Sequence, residues 1–230
     1  MCIRDRLDPG AARLIENGRV HRGGGLLVSL SGNVAIDSVL AQGCRPVGDP
    51  LFVTACEGNL VTELDGRRPR DVLTAVFASL GEADRERFGD ALCIGLALPG
   101  PRQSVGAGDF LIRNVLGLDP DGGALWIGAR ILPNSIVQFH LRDGKAAADE
   151  LEERLALSLS GGIAPAAALL FACTGRGRNF FGVSGHDSGT LRRMIDIPVT
   201  GEIAPVQGAT FVHGYSSVFG LIRPRTAGPG

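Results

Sequence analysis

The sequence predicts an α+β protein: mainly antiparallel or mixed sheets flanked by a few helices, in two sequential subdomains packed together. Three observations carry this. Apolar runs of strand length recur between short stretches rich in turn formers. The hydrophobic period lengthens to that of a helix at only a few places. The order strands, helix, strands is run through twice, as in folds that segregate helices from antiparallel sheet. The 34 glycines and the 5% aromatic share fit a finely divided strand pattern better than a helical bundle.

Met1–Arg6 reads as a leader foreign to the rest of the chain, and Leu7–Gly18 as a helical or irregular remnant. Arg19–His21 and Gly25–Leu30 read as strands. Asn33–Leu40 alternates like a half-buried strand and joins the preceding one through Ser31-Gly32-Asn33 as a hairpin. Gln42–Pro50 is dense in turn formers and is expected to be a loop. Leu51–Cys56 and Asn59–Leu64 form a strand pair about Glu57-Gly58. From Pro69, Val72, Val76 and Leu80 fall on one helical face with Leu73 and Phe77. The charged stretch Glu82–Arg87 then leads to a buried strand, Ala91–Leu98.

Pro99–Gly108 has linker composition. Phe110–Leu116, Ala124–Arg130 and Ser135–Leu141 come next as strands, with Asp119–Gly122 as a turn. Asp143–Leu159 is the clearest helix: Ala147, Leu151, Leu155 and Leu159 recur every four residues until Gly161-Gly162. Ala166–Cys173 is an apolar strand, and His186-Asp187-Ser188 opens a short helix, Gly189–Ile195, with Asp187 or Ser188 as its N-cap. Ile197–Val199, Thr210–Val212 and Ser216–Ile222 are strands, and Arg223–Gly230 is a tail.

Charge excludes some function classes. The 23 Lys and Arg nearly balance the 24 Asp and Glu, so no global field draws the chain to nucleic acid or an anionic membrane. A single lysine, Lys145, stands among those cations. No apolar run approaches the ~20 residues of a membrane helix. The five cysteines are irregularly spaced and no secretory segment opens the chain, which reads as reduced thiols in a cytoplasmic protein. No Cys/His set has metal-site spacing, and no haem-attachment motif occurs.

The stretch that stands out runs from Ala168 to Gly182, where a strand delivers Cys173 to a loop holding Gly175, Arg176, Gly177 and Arg178. It lacks the Gly-Lys-Ser/Thr ending of a phosphate-binding P-loop, and Phe180 occupies the third glycine position of a dinucleotide loop. What remains is a set of backbone N–H groups with guanidinium donors nearby, able to hold a carboxylate or phosphate. The plain alternative is a tight turn with exposed arginines. Cys173 is either a packed thiol or a thiolate favoured by Arg176 and Arg178, with His186 or His213 as the base of a Cys173-dependent enzyme. Alternation sets Phe211, His213 and Tyr215 on one face. Glu202, between glycine and apolar residues, needs a partner such as an arginine of the central loop.

These residues resemble a family. Leu169-Leu-Phe-Ala-Cys-Thr-Gly-Arg-Gly177, Phe181-Gly182, His186-Asp187, Gly201-Glu-Ile-Ala-Pro205 and Phe211-Val-His-Gly-Tyr215 look like the C-terminal half of the FIST domain, named for F-box and intracellular signal transduction proteins. Upstream, Gln42-Gly-Cys-Arg-Pro-Val-Gly48, Glu57-Gly-Asn59, Glu63-Leu-Asp-Gly66 and Arg113-Asn-Val-Leu-Gly-Leu-Asp-Pro120 fit the same family. The resemblance implies a partial FIST N-terminal domain over 7–68, a FIST C-terminal domain over 69–223 and a tail over 224–230.

It further implies a bacterial sensory module for a small ligand such as an amino acid or small carboxylate, coupled to a signalling partner such as a kinase, cyclase or receptor module. On this reading Arg176 and Arg178 meet the ligand carboxylate with the Gly175 and Gly177 amides. Glu202 orients an arginine or meets an ammonium, His213 and Tyr215 line the wall, and Cys173 and His186 complete the site. No cofactor is expected; a haem-binding gas sensor is the alternative that the family also implies. Two departures stand out. Complete members carry a further stretch upstream, which makes a fragment of a longer product the expectation. The Ile197–Glu202 segment is also several residues shorter than usual.

Overall fold

The computed structural model describes residues 14–23, 29–98, 109–203, 206–208 and 211–225, without the side chains of 14, 15, 174, 200–203, 206–208 and 211–213. The expected leader, most of the Gly25–Leu30 strand and the Pro99–Gly108 linker lie outside the described residues, and with that strand goes the partner of the expected hairpin at Ser31–Asn33. The architecture is α+β with mostly antiparallel pairing, built on an open four-stranded sheet and a closed six-stranded barrel.

The strands are β1 (Leu14–Glu16), β2 (Arg19–His21), β3 (Ala35–Ala41), β4 (Cys44–Glu57) and β5 (Leu60–Leu64). Helices α1 (Pro69–Ser79) and α2 (Glu82–Ala91) come next, then β6 (Leu92–Ala97), β7 (Phe110–Leu118), β8 (Leu125–Ile127) and β9 (Ile136–Arg142). After α3 (Gly144–Leu159) and β10 (Ala167–Ala172), a 3-10 turn at Thr174–Arg176 leads into α4 (Arg178–Phe181) and α5 (His186–Met194). The chain ends with β11 (Val199–Ile203), β12 (Val206–Gly208), β13 (Phe211–His213) and β14 (Ser217–Arg223).

The barrel closes in the order β4-β5-β8-β7-β6-β9, so its strands run consecutively between β3 and β10 of the open sheet. The open sheet has the order β11-β10-β14-β3, with β10 parallel to β11 and the other pairs antiparallel. In the barrel, Val53, Leu64, Ile94, Ile127, Val137 and Phe139 are fully or almost fully buried, and α1 adds Val72 and Leu73. Burying one such side chain is worth ~1.5–3 kcal/mol. The open sheet buries Val39, Leu170, Phe219 and Leu221 against Leu151 and Leu155 of α3 and Leu191 of α5.

Where the expected elements hold, the cause is local. Ala147, Leu151 and Leu155 are wholly buried along one face of α3, and Asp143 caps it by accepting from the Ala146 amide at 3.1 Å. Pro69 opens α1, where a missing amide costs nothing.

Four expectations are corrected. Gln42–Pro50 is mostly the first half of β4: pairing with β9 from Cys44↔Arg142 to Phe52↔Ile136 overrides the turn formers, and the register slips between Val47 and Leu51, around Gly48 at φ +70°. Glu82–Arg87 belongs to α2, whose first-turn Glu82 and Asp84 favour the positive helix end although no apolar stripe marks it. The remnant before Gly18 contains β1, turned onto β2 by Asn17 and Gly18 at positive φ. Arg223 closes β14 instead of opening the tail. Among the described residues no helix is long and apolar enough to cross a membrane.

Candidate functional site

The strands of the barrel wall around β9 bury both faces. Val137, Phe139 and Leu141 enter the barrel core, while His140 and Arg142 alternate to the other side, toward the C-terminal segment. On that same outer side lie Cys93, Phe110 and Ile112, covered by Tyr215 from the β13–β14 connection. The stretch after β10 packs onto this surface. A seam between barrel and open sheet results, and it holds much of the buried polar chemistry of the described residues.

Arg176 is its centre. It is only 5% exposed, and its Nε and Nη2 donate to Asp187 Oδ2 and Oδ1 at 2.7 and 3.1 Å. Its Nη1 reaches the Tyr215 carbonyl at 3.5 Å, and its guanidinium lies 5.1 Å from the Phe181 ring centroid. The His186 ring stacks on Phe181 at 3.8 Å and 8°, with Nδ1 at 3.0 Å from Asp187 Oδ1. Asp187 or Ser188 was expected to cap α5. Gly185 at φ +68° holds the N-cap position instead, because a two-pronged bond to a buried guanidinium is stronger than one to a helix amide.

Tyr215 adopts φ +59°, a left-handed conformation that a residue with a bulky side chain seldom adopts unless its surroundings impose it. Its hydroxyl donates to Asn114 Oδ1, and its ring lies 4.3 Å from the Arg142 guanidinium. Arg142 also donates from Nη2 to the Gly175 carbonyl at 2.8 Å and stands 4.8 Å from the Phe180 ring centroid. Gly43 closes the seam from below: a Cβ there would fall 2.8 Å from the Tyr215 carbonyl oxygen and 3.1 Å from Arg176 Nη1.

The thiols sit deep. Cys44 is raised well above its ordinary pKa by a hydrogen bond with the Cys93 thiol and by burial, against the lowering influence of Arg142 and Arg176. Cys173 is buried, and its amide donates to the Ser216 carbonyl at 2.9 Å. Glu150 of α3 accepts from the Gln42 amide at 3.0 Å and from Arg154 at 2.8 Å, and burial pushes its carboxyl up. His140 stands edge-on to Phe110 and is held below its usual pKa by burial.

Of the residues expected at the site, Cys173, Gly175, Arg176, His186 and Tyr215 come together at the seam. Gly177 and Arg178 are exposed at its margin, at the start of α4. Glu202 and His213 lie on β11 and β13, and their side chains are outside those described; the arginine suggested for Glu202 is engaged by Asp187. The sequence reading missed Arg142, Asn114, Gly43 and the inward role of Asp187. Gln42-Gly43-Cys44 and Arg113-Asn114 were visible only as parts of longer motifs. Among the described residues no group of three His, Cys, Asp or Glu is placed to hold a metal ion.

Two family models match the chain. The model of the FIST N domain matches residues 3–67 and that of the FIST C domain residues 70–204. The boundary falls inside the barrel, whose β4 and β5 come from the first match and β6 to β9 from the second. The chain is 38% identical over 221 residues to Uncharacterized protein Rv0628c of Mycobacterium tuberculosis, covering 92% of this chain and 57% of that one. It is 37% identical over 221 residues to Uncharacterized protein Mb0898c of Mycobacterium bovis, covering 92% of this chain and 56% of that one. The chain thus spans little more than half the length of these relatives. No solved structure matches it.

Proposed function

Because this chain belongs to the FIST family, whose domains are associated with sensory modules of signal transduction, we propose that it binds a small polar ligand at the seam and passes the bound state to a signalling partner chain. The observation that carries the reading is the Arg176–Asp187 pair, buried between barrel and open sheet beside a strained Tyr215. Buried ion pairs add little net stability, so their retention is better explained by what they position. Clefts between structural layers, with a few convergent polar groups among aromatic rings, are where small ligands are held.

Amino acids and small carboxylates fit such a cationic, aromatic-lined site. Arg178 stands at the margin, free to meet an arriving anion. Arg176 acts through its pairing with Asp187, fixing the Tyr215 carbonyl, Phe181 and His186 in place. Cys173, Gly175 and Gly177 supply backbone at the edge, and Glu202 of β11 and His213 of β13 are the further residues assigned to the site. The partner is a kinase, cyclase or receptor module that reads the position of the two sheets.

The test is a calorimetric screen of amino acids and small carboxylates against the wild-type chain and Asp187→Asn. The substitution is expected to weaken binding at least tenfold by releasing Arg176 and the ring stack. A ligand that binds Asp187→Asn as tightly as wild type would place the site elsewhere.

A further inference from the structure

Seven arginines among the described residues are at least partly withdrawn from solvent. Arg45, Arg87, Arg154, Arg176 and Arg223 each reach a carboxylate. Arg142 and Arg113 do not. Arg113 lies opposite Ile94 in the barrel register, on the core face, where only the Ile112 carbonyl accepts from it. Arg142 faces the seam. Its guanidinium lies 4.8 and 4.3 Å from the Phe180 and Tyr215 ring centroids and donates to one carbonyl, and its Nε is buried with no acceptor among the described residues.

A guanidinium in that setting is incomplete. The rings of Phe180 and Tyr215 hold its plane, and the Gly175 carbonyl orients one nitrogen, yet none of these cancels a full positive charge. A buried donor without an acceptor is uncommon and costly, and a half-buried guanidinium that no described carboxylate meets is a candidate to receive one from a ligand. The planar fork of arginine matches a carboxylate through two parallel hydrogen bonds, a match that lysine cannot reproduce. Phosphate would fit the charge, but rings packed against the guanidinium leave room for a flat oxyanion more readily than for a tetrahedral one.

We propose that Arg142 is the specificity-determining residue of the seam site, and that it selects ligands bearing a carboxylate. The inference rests on the seam reading above and adds to it the residue and the chemical group recognised. Sequence alone gave this role to Arg176 and Arg178. The first is engaged by Asp187, and the second is exposed at the start of α4.

The experiment uses matched probes: acetate with acetamide, succinate with succinamide, L-alanine with L-alaninamide, titrated by calorimetry into the wild-type chain, Arg142→Gln and Arg142→Lys. Each carboxylate is expected to bind at least tenfold more tightly than its amide. That preference should disappear in Arg142→Gln and fall by a smaller factor in Arg142→Lys, which keeps the charge without the fork. If Arg142→Gln does not fold, Arg142→Lys alone decides. Equal binding of acid and amide, or an unchanged preference in the Arg142 variants, overturns the inference; the seam reading then survives if Asp187→Asn still loses the ligand. Binding of the amides but of no carboxylate also overturns it. Absence of binding by every probe sinks both.

Discussion

The Asp187 carboxylate meets the Arg176 guanidinium edge to edge, at 2.7 and 3.1 Å, with both side chains almost wholly withdrawn from water. One partner comes from the turn after β10 and the other from the first turn of α5. Their union ties the turn after β10 to the start of α5, the helix that packs on α3 and the open sheet.

Breaking that pair from one side leaves a buried charge alone. Asp187→Ala is expected to destabilise the fold by about 3–5 kcal/mol. Replacing both partners together, as Arg176→Met with Asp187→Leu, should cost much less. Urea unfolding of the two variants is the measurement, and a loss below about 1 kcal/mol for Asp187→Ala would show that water reaches the site.

Gly43 is a steric lock. An added methyl meets the Tyr215 backbone, which cannot swing aside as a flexible side chain would, so Gly43→Ala should cost about 1–3 kcal/mol. Gly89 in α2 has nothing within 4 Å of the same added atom. Gly89→Ala should be neutral, or stabilising by roughly 0.5–1 kcal/mol through helix propensity. Opposite shifts in melting temperature are the signature; equal shifts would refute the steric account.

Asp143 performs two tasks that substitution can separate. It caps α3 and joins Arg45 and Arg87, which also pair with Asp84. Burial pushes its carboxyl up, but the Ala146 amide and the two guanidinium groups outweigh this and hold it below its ordinary value. The ion pairs are partly exposed and should count for under about 1 kcal/mol each. Asp143→Ala should therefore cost about 1–2 kcal/mol, and Asp143→Asn, which keeps the capping oxygen, distinctly less. Equal losses in the two would make the charge, not the cap, the main contribution.

The buried His140 gives a pH dependence of known sign. Its folded pKa is depressed by burial, so below its ordinary value of 6.5 the unfolded chain binds a proton that the folded chain refuses. Stability should fall as pH drops below that value. Asp84 and Asp143 are depressed from 3.8, and what they contribute is lost only in more acidic solution. Comparing chemical unfolding at pH 7.5 and pH 5.5 should show this slope in the wild type and a smaller one in His140→Asn. Identical slopes would rule His140 out as the cause.

What the sequence made legible depended on the range of the interactions. The stripe Ala147, Leu151, Leu155 predicted α3, and Pro69 with its apolar face predicted α1, because each is settled within a few residues of chain. The first half of β4 was misread, since Pro46, Gly48 and Pro50 describe a loop to any local rule. Only pairing with residues some ninety positions later makes it a strand. The site divided in the same way. The Gly175–Arg178 stretch was conspicuous, and Cys173, Gly175, Arg176, His186 and Tyr215 do lie together. Arg142 was not, because nothing in Ile136–Arg142 records that Gly175, Phe180 and Tyr215 will close over its last residue. Asp187 was noticed for the wrong bond, as a cap, because a neighbouring helix was visible and a guanidinium eleven residues away was not.

The two buried faces of β9 carry a mechanical implication. Leu141 is wholly buried in the barrel core and Arg142, the next residue, lies against the rings of Phe180 and Tyr215 outside it, so both faces of the strand are engaged. A shift of Arg142 that moves the backbone must also move Leu141. A displacement at the seam is then expected to register in the barrel core through β9 itself, one residue away.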